Sequence, residues 1–205
     1  MLARVPRDAA AVLDYATGTG TLALAAARRC PGARVVGVDL SASMLEVARR
    51  RAAASGLDRR AEFVRADAEA WEPPEGAFDA VLAGYLPKYV DMDRWLPRAA
   101  RALKPGGVLA AYDFTYPSHP LARAGWEAWW RVLGPALRRD AAWRAVAEEL
   151  PGLVRGTTWA HVMQEALPRH GFDHIARRSM GWGIAAMVTA SRVRPEPAAP
   201  NPAKS

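Results

Sequence analysis

The sequence predicts an α/β protein with a Rossmann-like, seven-stranded, mostly parallel sheet that ends in an antiparallel hairpin, with helices on both faces. Three observations predict it. Apolar strand-like runs alternate with helical patterns through most of the chain, the order that gives a parallel sheet covered on both faces. The first run, Val12-Leu13-Asp14-Tyr15-Ala16-Thr17-Gly18-Thr19-Gly20, ends in an acid and a glycine-containing turn, and the second ends in Asp39. The last two runs are separated only by Gly181-Trp182-Gly183. Parallel neighbours need a long crossover, so these two must pair antiparallel.

Taken in order, strands are expected near 11–16, 33–39, 61–66, 78–84 and 107–114. Helices are expected near 20–30, 41–55, 91–103, 120–139 and 157–169. Ser41 is placed to cap the second helix, and Ser55-Gly56 to close it. Pro105-Gly106-Gly107 reads as a turn between a helix and a buried strand. The closing strands are expected over 172–180 and 184–193. Residues 1–193 read as one domain with a helical insertion at about 115–156, which holds Trp126, Trp129, Trp130 and Trp143. Its place after the fifth strand sets it above the strand C-terminal ends, where open α/β sheets bind ligands. The tryptophans either pack helices onto the sheet or form an apolar lid over a large hydrophobic substrate. The Pro-rich tail, 194–205, reads as disordered.

At 205 residues, 51% hydrophobic and 24% charged, the composition is that of a globular chain with a full core. The formal charge of +7 comes mostly from arginines scattered along helices, as in Ala27-Arg28-Arg29 and Arg138-Arg139, which reads as solvated helix faces. No basic block with interleaved aromatics marks a nucleic-acid track. Cys30 is the only cysteine, which excludes an internal disulfide framework and a cysteine-based zinc site and suits the cytoplasm. The four histidines lack metal-ligand spacing, so no metal is expected. No apolar run is long enough to span a membrane, and the first residues lack the apolar core of a signal peptide. No motif specifies an oligomeric state.

The first strand-turn-helix unit is where a nucleoside-bearing cofactor is expected. Gly18 and Gly20 let the backbone turn tightly and approach a ligand. Asp39, at the tip of the second strand, can accept hydrogen bonds from both ribose hydroxyls. Gly18-Thr19-Gly20-Thr21-Leu22-Ala23 also fits the dinucleotide pattern, but Asp14 favours S-adenosyl-L-methionine: an acid there can hold an ammonium and would repel a pyrophosphate. Asp67-Ala68 ends the third strand, where a carboxylate can accept from the adenine amine.

These residues resemble the menaquinone/ubiquinone biosynthesis C-methyltransferase family, class I enzymes that use S-adenosylmethionine. Besides the first motif, the matching stretches are Val36-Gly-Val-Asp-Leu-Ser-Ala-Ser-Met-Leu45, Asp67-Ala-Glu69, Phe78-Asp-Ala-Val81, Arg101-Ala-Leu-Lys-Pro-Gly-Gly107, Asp113-Phe-Thr-Tyr-Pro117 and Met180-Gly-Trp-Gly-Ile-Ala-Ala-Met187. The resemblance covers roughly residues 11–193. It implies a methyl-donor pocket of Asp14, Ala16, Gly18 and Gly20 at the methionine end, Asp39 and Leu40 at the ribose and adenine, and Asp67 with Ala68 at the adenine. Met44 is a candidate for the adenine face. It implies a small aromatic acceptor, a demethylmenaquinone-like prenylated quinol. The basic charge and the Trp-rich 120–143 segment are compatible with peripheral membrane contact.

Two departures stand out. The family carries several tens of residues before the first motif, whereas Met1 to Ala11 precede it here, which implies either a truncated chain or a more open site. After the fourth strand the family usually shows Gly-Leu-Arg-Asn, whereas this chain has Gly84-Tyr85-Leu86-Pro87-Lys88-Tyr89-Val90. The candidates to hold a phenolate or move a proton are therefore Lys88, Tyr85, Tyr89, Asp113 and His119, all expected at the same sheet edge. Methylation of oxygen or nitrogen in another small molecule, a nicotinamide-dependent oxidoreductase and a non-catalytic binding module are the alternative readings.

Overall fold

The computed structural model describes residues 1–139 and 144–194. Seven strands form one sheet: β1 (Ala11–Tyr15), β2 (Arg34–Asp39), β3 (Ala61–Arg65), β4 (Phe78–Gly84), β5 (Leu103–Phe114), β6 (Phe172–Met180) and β7 (Ala185–Arg192). Their order is β3-β2-β1-β4-β5-β7-β6. The first five strands pair parallel, and β7 runs antiparallel to both β5 and β6. The expected hairpin finish is present. The order reverses direction between the paired strands β1 and β4, the switch point beyond whose strand C-terminal ends open α/β sheets bind ligands.

The helices are α1 (Thr21–Arg29), α2 (Ala42–Ala54), α3 (Met92–Ala102), α4 (Pro120–Arg139), α5 (Arg144–Gly156) and α6 (Trp159–Ala166). Alternate side chains of a strand face opposite sides, so the sheet has two cores. Val12, Val35, Leu82 and Ala110 pack with Leu24 and Ala27 of α1 and Leu45 and Ala48 of α2. Leu13, Tyr15, Val81 and Leu109 pack with Trp95 and Leu96 of α3 and Met163 of α6. As expected, Ser41 caps α2, its hydroxyl accepting from the Met44 N–H. Asp91 caps α3 in the same way through the Asp93 N–H.

Three expectations need correction. Pro105-Gly106-Gly107 is not a turn before the strand but lies within β5. The β4–β5 register passes from Phe78↔Leu103 to Ala80↔Val108, so the extra residues of β5 bulge out. Gly106 takes the left-handed φ of 79° that the bulge needs, and Lys104 pairs with Asp79 at 2.6 Å beside it. The helix expected over 157–169 is α6 followed by a separate 3-10 turn, Leu167–His170, with Pro168 near its start. The insertion holds a second helix, α5, that the periodicity did not single out. Trp143 and the tail beyond Arg194 lie outside the described residues.

The insertion is tied together by charge. Arg155 of α5 donates to both carboxylate oxygens of Glu127 on α4, at 2.8 and 2.6 Å, and the Tyr116 hydroxyl donates to the same carboxylate at 2.9 Å. These donors hold the Glu127 pKa down to about 2. No described helix is long and apolar enough to cross a membrane.

Candidate active site

The loop after β1 is built around two carboxylates. Asp39 ends β2 and accepts from the Gly18 N–H at 2.7 Å through one oxygen and from the Ser41 N–H at 2.9 Å through the other. Each oxygen keeps further lone-pair capacity for a hydroxyl donor. Asp14 is only 1% exposed. It accepts from the Thr17 hydroxyl at 2.7 Å, and burial raises its pKa to about 7 despite that bond.

Glycine is needed here for two different reasons. Gly18 has φ 53°, and a Cβ on it would meet nothing within 4 Å, so its requirement is conformational and its surface is open to a ligand. Gly20, the N-cap of α1, has φ 77° and lies against Ala48 and Phe63, where a Cβ would approach to 3.0–3.3 Å. Gly37 of β2 was not singled out from the sequence. A Cβ there would come within 2.8 Å of both Phe63 and Thr17, so it makes room for the side chain that holds Asp14. Ala16 also has a left-handed φ, 53°, without being glycine.

Two cavities meet at Ala16. The smaller, of about 270 Å³, is lined by Asp39, Leu40, Asp67, Ala68, Leu86 and Tyr89 as well as Ala16. Asp67 accepts from the Glu69 N–H at 2.8 Å, which shapes its rim. The larger cavity, of about 1000 Å³, is lined by Asp14, Gly18, Gly84, Tyr85, Tyr112, Arg178, Met180 and Met187 among others. Asp14, Ala16, Gly18, Asp39, Leu40, Asp67 and Ala68 are thus brought together along one crevice. Gly20 lines neither cavity and supports the loop from below, and Met44 is half-exposed on α2 outside both.

The acceptor-side candidates separate. Lys88 and Asp113 are buried against each other at 2.7 Å, with side chains 2% and 0% exposed. The Lys88 N–H also donates to Asp113 at 3.2 Å, and the Lys88 ammonium sits 4.3 Å from the Tyr89 ring centroid. The pair anchors the loop after β4, and neither residue lines the large cavity. His119 is exposed beside Trp182, 6.2 Å between ring centroids, away from both cavities. Tyr85 does line the large cavity, held there in a left-handed conformation at φ 62° by its N–H bond to the Tyr112 carbonyl at 2.8 Å. Its phenol pKa is raised, first by burial and then by Tyr112 and Asp113.

Tyr112 and Arg178 are cavity residues that sequence reasoning missed. Gly84, Tyr112, Met187 and Arg178 are successive register partners across β4, β5, β7 and β6. They form one row across the sheet edge, with Arg178 two strand spacings, about 10 Å, from Tyr112. Their alignment depends on register between distant segments, and no local motif carries it.

The donor set fits an S-adenosylmethionine site. It supplies a buried acid for an ammonium, a second acid with spare lone pairs at the tip of β2, a third acid at the end of β3, and an open glycine surface between them. Comparison with known proteins agrees. Residues 12–107 match the methyltransferase domain family. The chain is 35% identical over 196 residues, 95% of its own length and 78% of the relative's, to a demethylmenaquinone methyltransferase of Clavibacter sepedonicus. It is 47% identical over 107 residues, 52% of this chain and 48% of the relative, to a demethylmenaquinone methyltransferase of Thermus thermophilus. Among solved structures, that of the [4+2]-cyclase SpnF superposes with a TM-score of 0.69 at 20% identity, over 91% of this chain and 76% of that one, which speaks to the fold alone.

Proposed function

The chain belongs to the menaquinone/ubiquinone biosynthesis C-methyltransferase family and is an S-adenosylmethionine-dependent methyltransferase, and from that premise we propose that its acceptor is a ring carbon of a demethylmenaquinone-like prenylated quinol. The observation that carries the reading is the large cavity. It opens beside the Gly18 loop and is walled by two phenols, Tyr85 and Tyr112, and two arginines, Arg4 and Arg178, within an otherwise mostly apolar lining.

The bound methionine nucleoside supplies a methyl group on a sulfonium, already a good leaving group. The protein's task is therefore placement of the nucleophile. Asp14 holds the ammonium, Asp39 the ribose hydroxyls and Asp67 the adenine amine. Tyr85 and Tyr112 hydrogen-bond one ring oxygen of the quinol and fix its plane. Arg178, always charged, stabilises the phenolate left when the quinol hydroxyl gives its proton to water. As the ring carbon takes the methyl the nucleoside leaves as a neutral thioether, and the proton of that carbon is then lost to water. Lys88 and Asp113 position Tyr85 rather than touch the acceptor. A cytoplasmic, membrane-peripheral setting fits a lipid acceptor and the single buried thiol, Cys30.

The test is transfer of labelled methyl from S-adenosylmethionine to a reduced demethylmenaquinone, beside simple phenols and catechols as oxygen acceptors. Product methylated on the ring, with Arg178→Ala lowering kcat/KM at least about tenfold, supports the reading. Methylation of phenol oxygens in preference to the quinol carbon overturns it.

A further inference from the structure

A third cavity lies next to the acceptor cleft. It has a volume of about 680 Å³ and is walled by Phe114 at the end of β5, by Trp126, Trp129 and Trp130 of α4, and by Trp182 and Ile184 at the hairpin tip. Every lining residue is apolar, the four tryptophans offering only an indole N–H each. The indole nitrogens of Trp126 and Trp130 are buried and have no hydrogen-bond partner among the described residues. The rings pack edge to face, Trp129 on Trp130 at 4.6 Å and Trp126 on Trp130 at 5.8 Å. The Glu127–Arg155 pair joins α4 to α5, which also lines the cavity through Val146 and Leu150. At its mouth Leu121 and Trp182 are 72% and 76% exposed. Apolar surface of this kind is costly to leave against water, and a walled apolar cavity calls for an apolar ligand.

The cavity and the cleft adjoin at one side-chain contact. The Phe114 ring lines the cavity and also lies 5.3 Å from the ring of Tyr85, which lines the cleft. Phe114 is two residues from Tyr112 on the same strand, so both project from the same face of the sheet. A ring seated against the edge-to-face pair of Tyr85 and Tyr112, whose centroids are 5.4 Å apart, has Phe114 beside it and the tryptophan cavity beyond.

We propose that the cavity between α4, α5 and the β6–β7 hairpin is a binding site for the long isoprenoid chain of the acceptor, entered across Phe114 from the ring site. This rests on the acceptor reading above. The cavity discriminates by chain length, because each further buried apolar carbon adds favourable transfer free energy while the ring contacts stay the same. Acceptors with a long chain are then favoured through KM more than through kcat.

Gly125 provides the test. It lines the cavity on α4, and a Cβ built on it meets nothing within 4 Å. Gly125→Leu fills the cavity, and leucine is the better helix former. Rates of the 205-residue chain are compared on reduced acceptors with a single isoprene unit and with a long polyisoprenoid chain. The expected result is that Gly125→Leu lowers the preference for the long-chain acceptor about tenfold, within the range that apolar pockets discriminate. An unchanged preference overturns the proposal. A second measurement does not need turnover. A polyisoprenoid alcohol carrying a nitroxide, added in dilute detergent, should quench tryptophan fluorescence of the wild type and do so much less in Gly125→Leu. Quenching lost in the variant supports the site even if no quinol is methylated, in which case the acceptor reading alone falls. Equal quenching in both proteins overturns the site. So does quenching seen only with nitroxide-labelled phospholipid vesicles, which would make the tryptophans a bilayer contact.

Discussion

The Lys88 ammonium and the Asp113 carboxylate, from the loop after β4 and the end of β5, are 2.7 Å apart and almost wholly withdrawn from solvent. Burial holds the Asp113 pKa above the ordinary range in spite of Lys88. Removing one partner leaves the other as an uncompensated buried charge. Lys88→Met or Asp113→Leu alone should destabilise the fold by about 3–5 kcal/mol, and the double replacement should recover much of that loss. Urea denaturation of the three variants measures it. If Lys88→Met left stability unchanged while abolishing turnover, Lys88 would be a catalytic residue and the anchoring role would be wrong.

Asp39 ties the Gly18 loop to the start of α2 through its two carboxylate oxygens. Asp39→Ala removes the acceptor for the Gly18 N–H and, in our reading, for the ribose hydroxyls. Hydrogen bonds to a charged group contribute about 1.5–3 kcal/mol each, so calorimetric Kd for S-adenosylmethionine should rise at least about tenfold. Binding of wild-type strength in Asp39→Ala would show that the ribose lies elsewhere.

Asp14 makes cofactor affinity pH-dependent. Its pKa is raised from 3.8 to about 7, so below that value the folded protein carries it neutral, and above it the anion can pair with the ammonium. Affinity for S-adenosylmethionine should rise as pH increases through about 7, and Asp14→Asn should bind weakly with little pH dependence in that window. The same shift has the opposite sign for the protein without cofactor. A folded acid with a raised pKa binds more protons than the unfolded chain, so its contribution to stability declines as pH rises from about 4 to 7. Thermal melts of wild type and Asp14→Asn across that range test the second half independently.

Ala16 occupies a conformation that costs an L-residue roughly 1–2 kcal/mol relative to glycine. The added chain freedom of glycine offsets part of that. Ala16→Gly should therefore raise stability by up to about 1 kcal/mol, seen as a higher Tm. A clear loss of stability would mean that the Ala16 methyl contributes packing that outweighs the strain.

The sequence by itself determined the mostly parallel sheet and its hairpin finish, and it singled out the acids that line the crevice. These are local signals: an apolar run, an acid at a strand tip, a glycine where φ is positive, and a turn too short for a crossover. Asp14, Gly18, Asp39 and Asp67 lie at the ends of successive segments, so motif spacing alone brings them to one edge. Tertiary structure decided the rest. Lys88 and Asp113 look equally available in the sequence, but only the packing of the β4 loop against β5 shows them neutralising each other below the cleft. Tyr112 and Arg178 became site residues only because β5, β7 and β6 align in one register across the sheet. Gly37 mattered only once Phe63 and Thr17 closed over it. Backbone conformation is written into neighbouring residues, whereas the partner of a charge and the wall of a cavity are set by segments far apart in the chain.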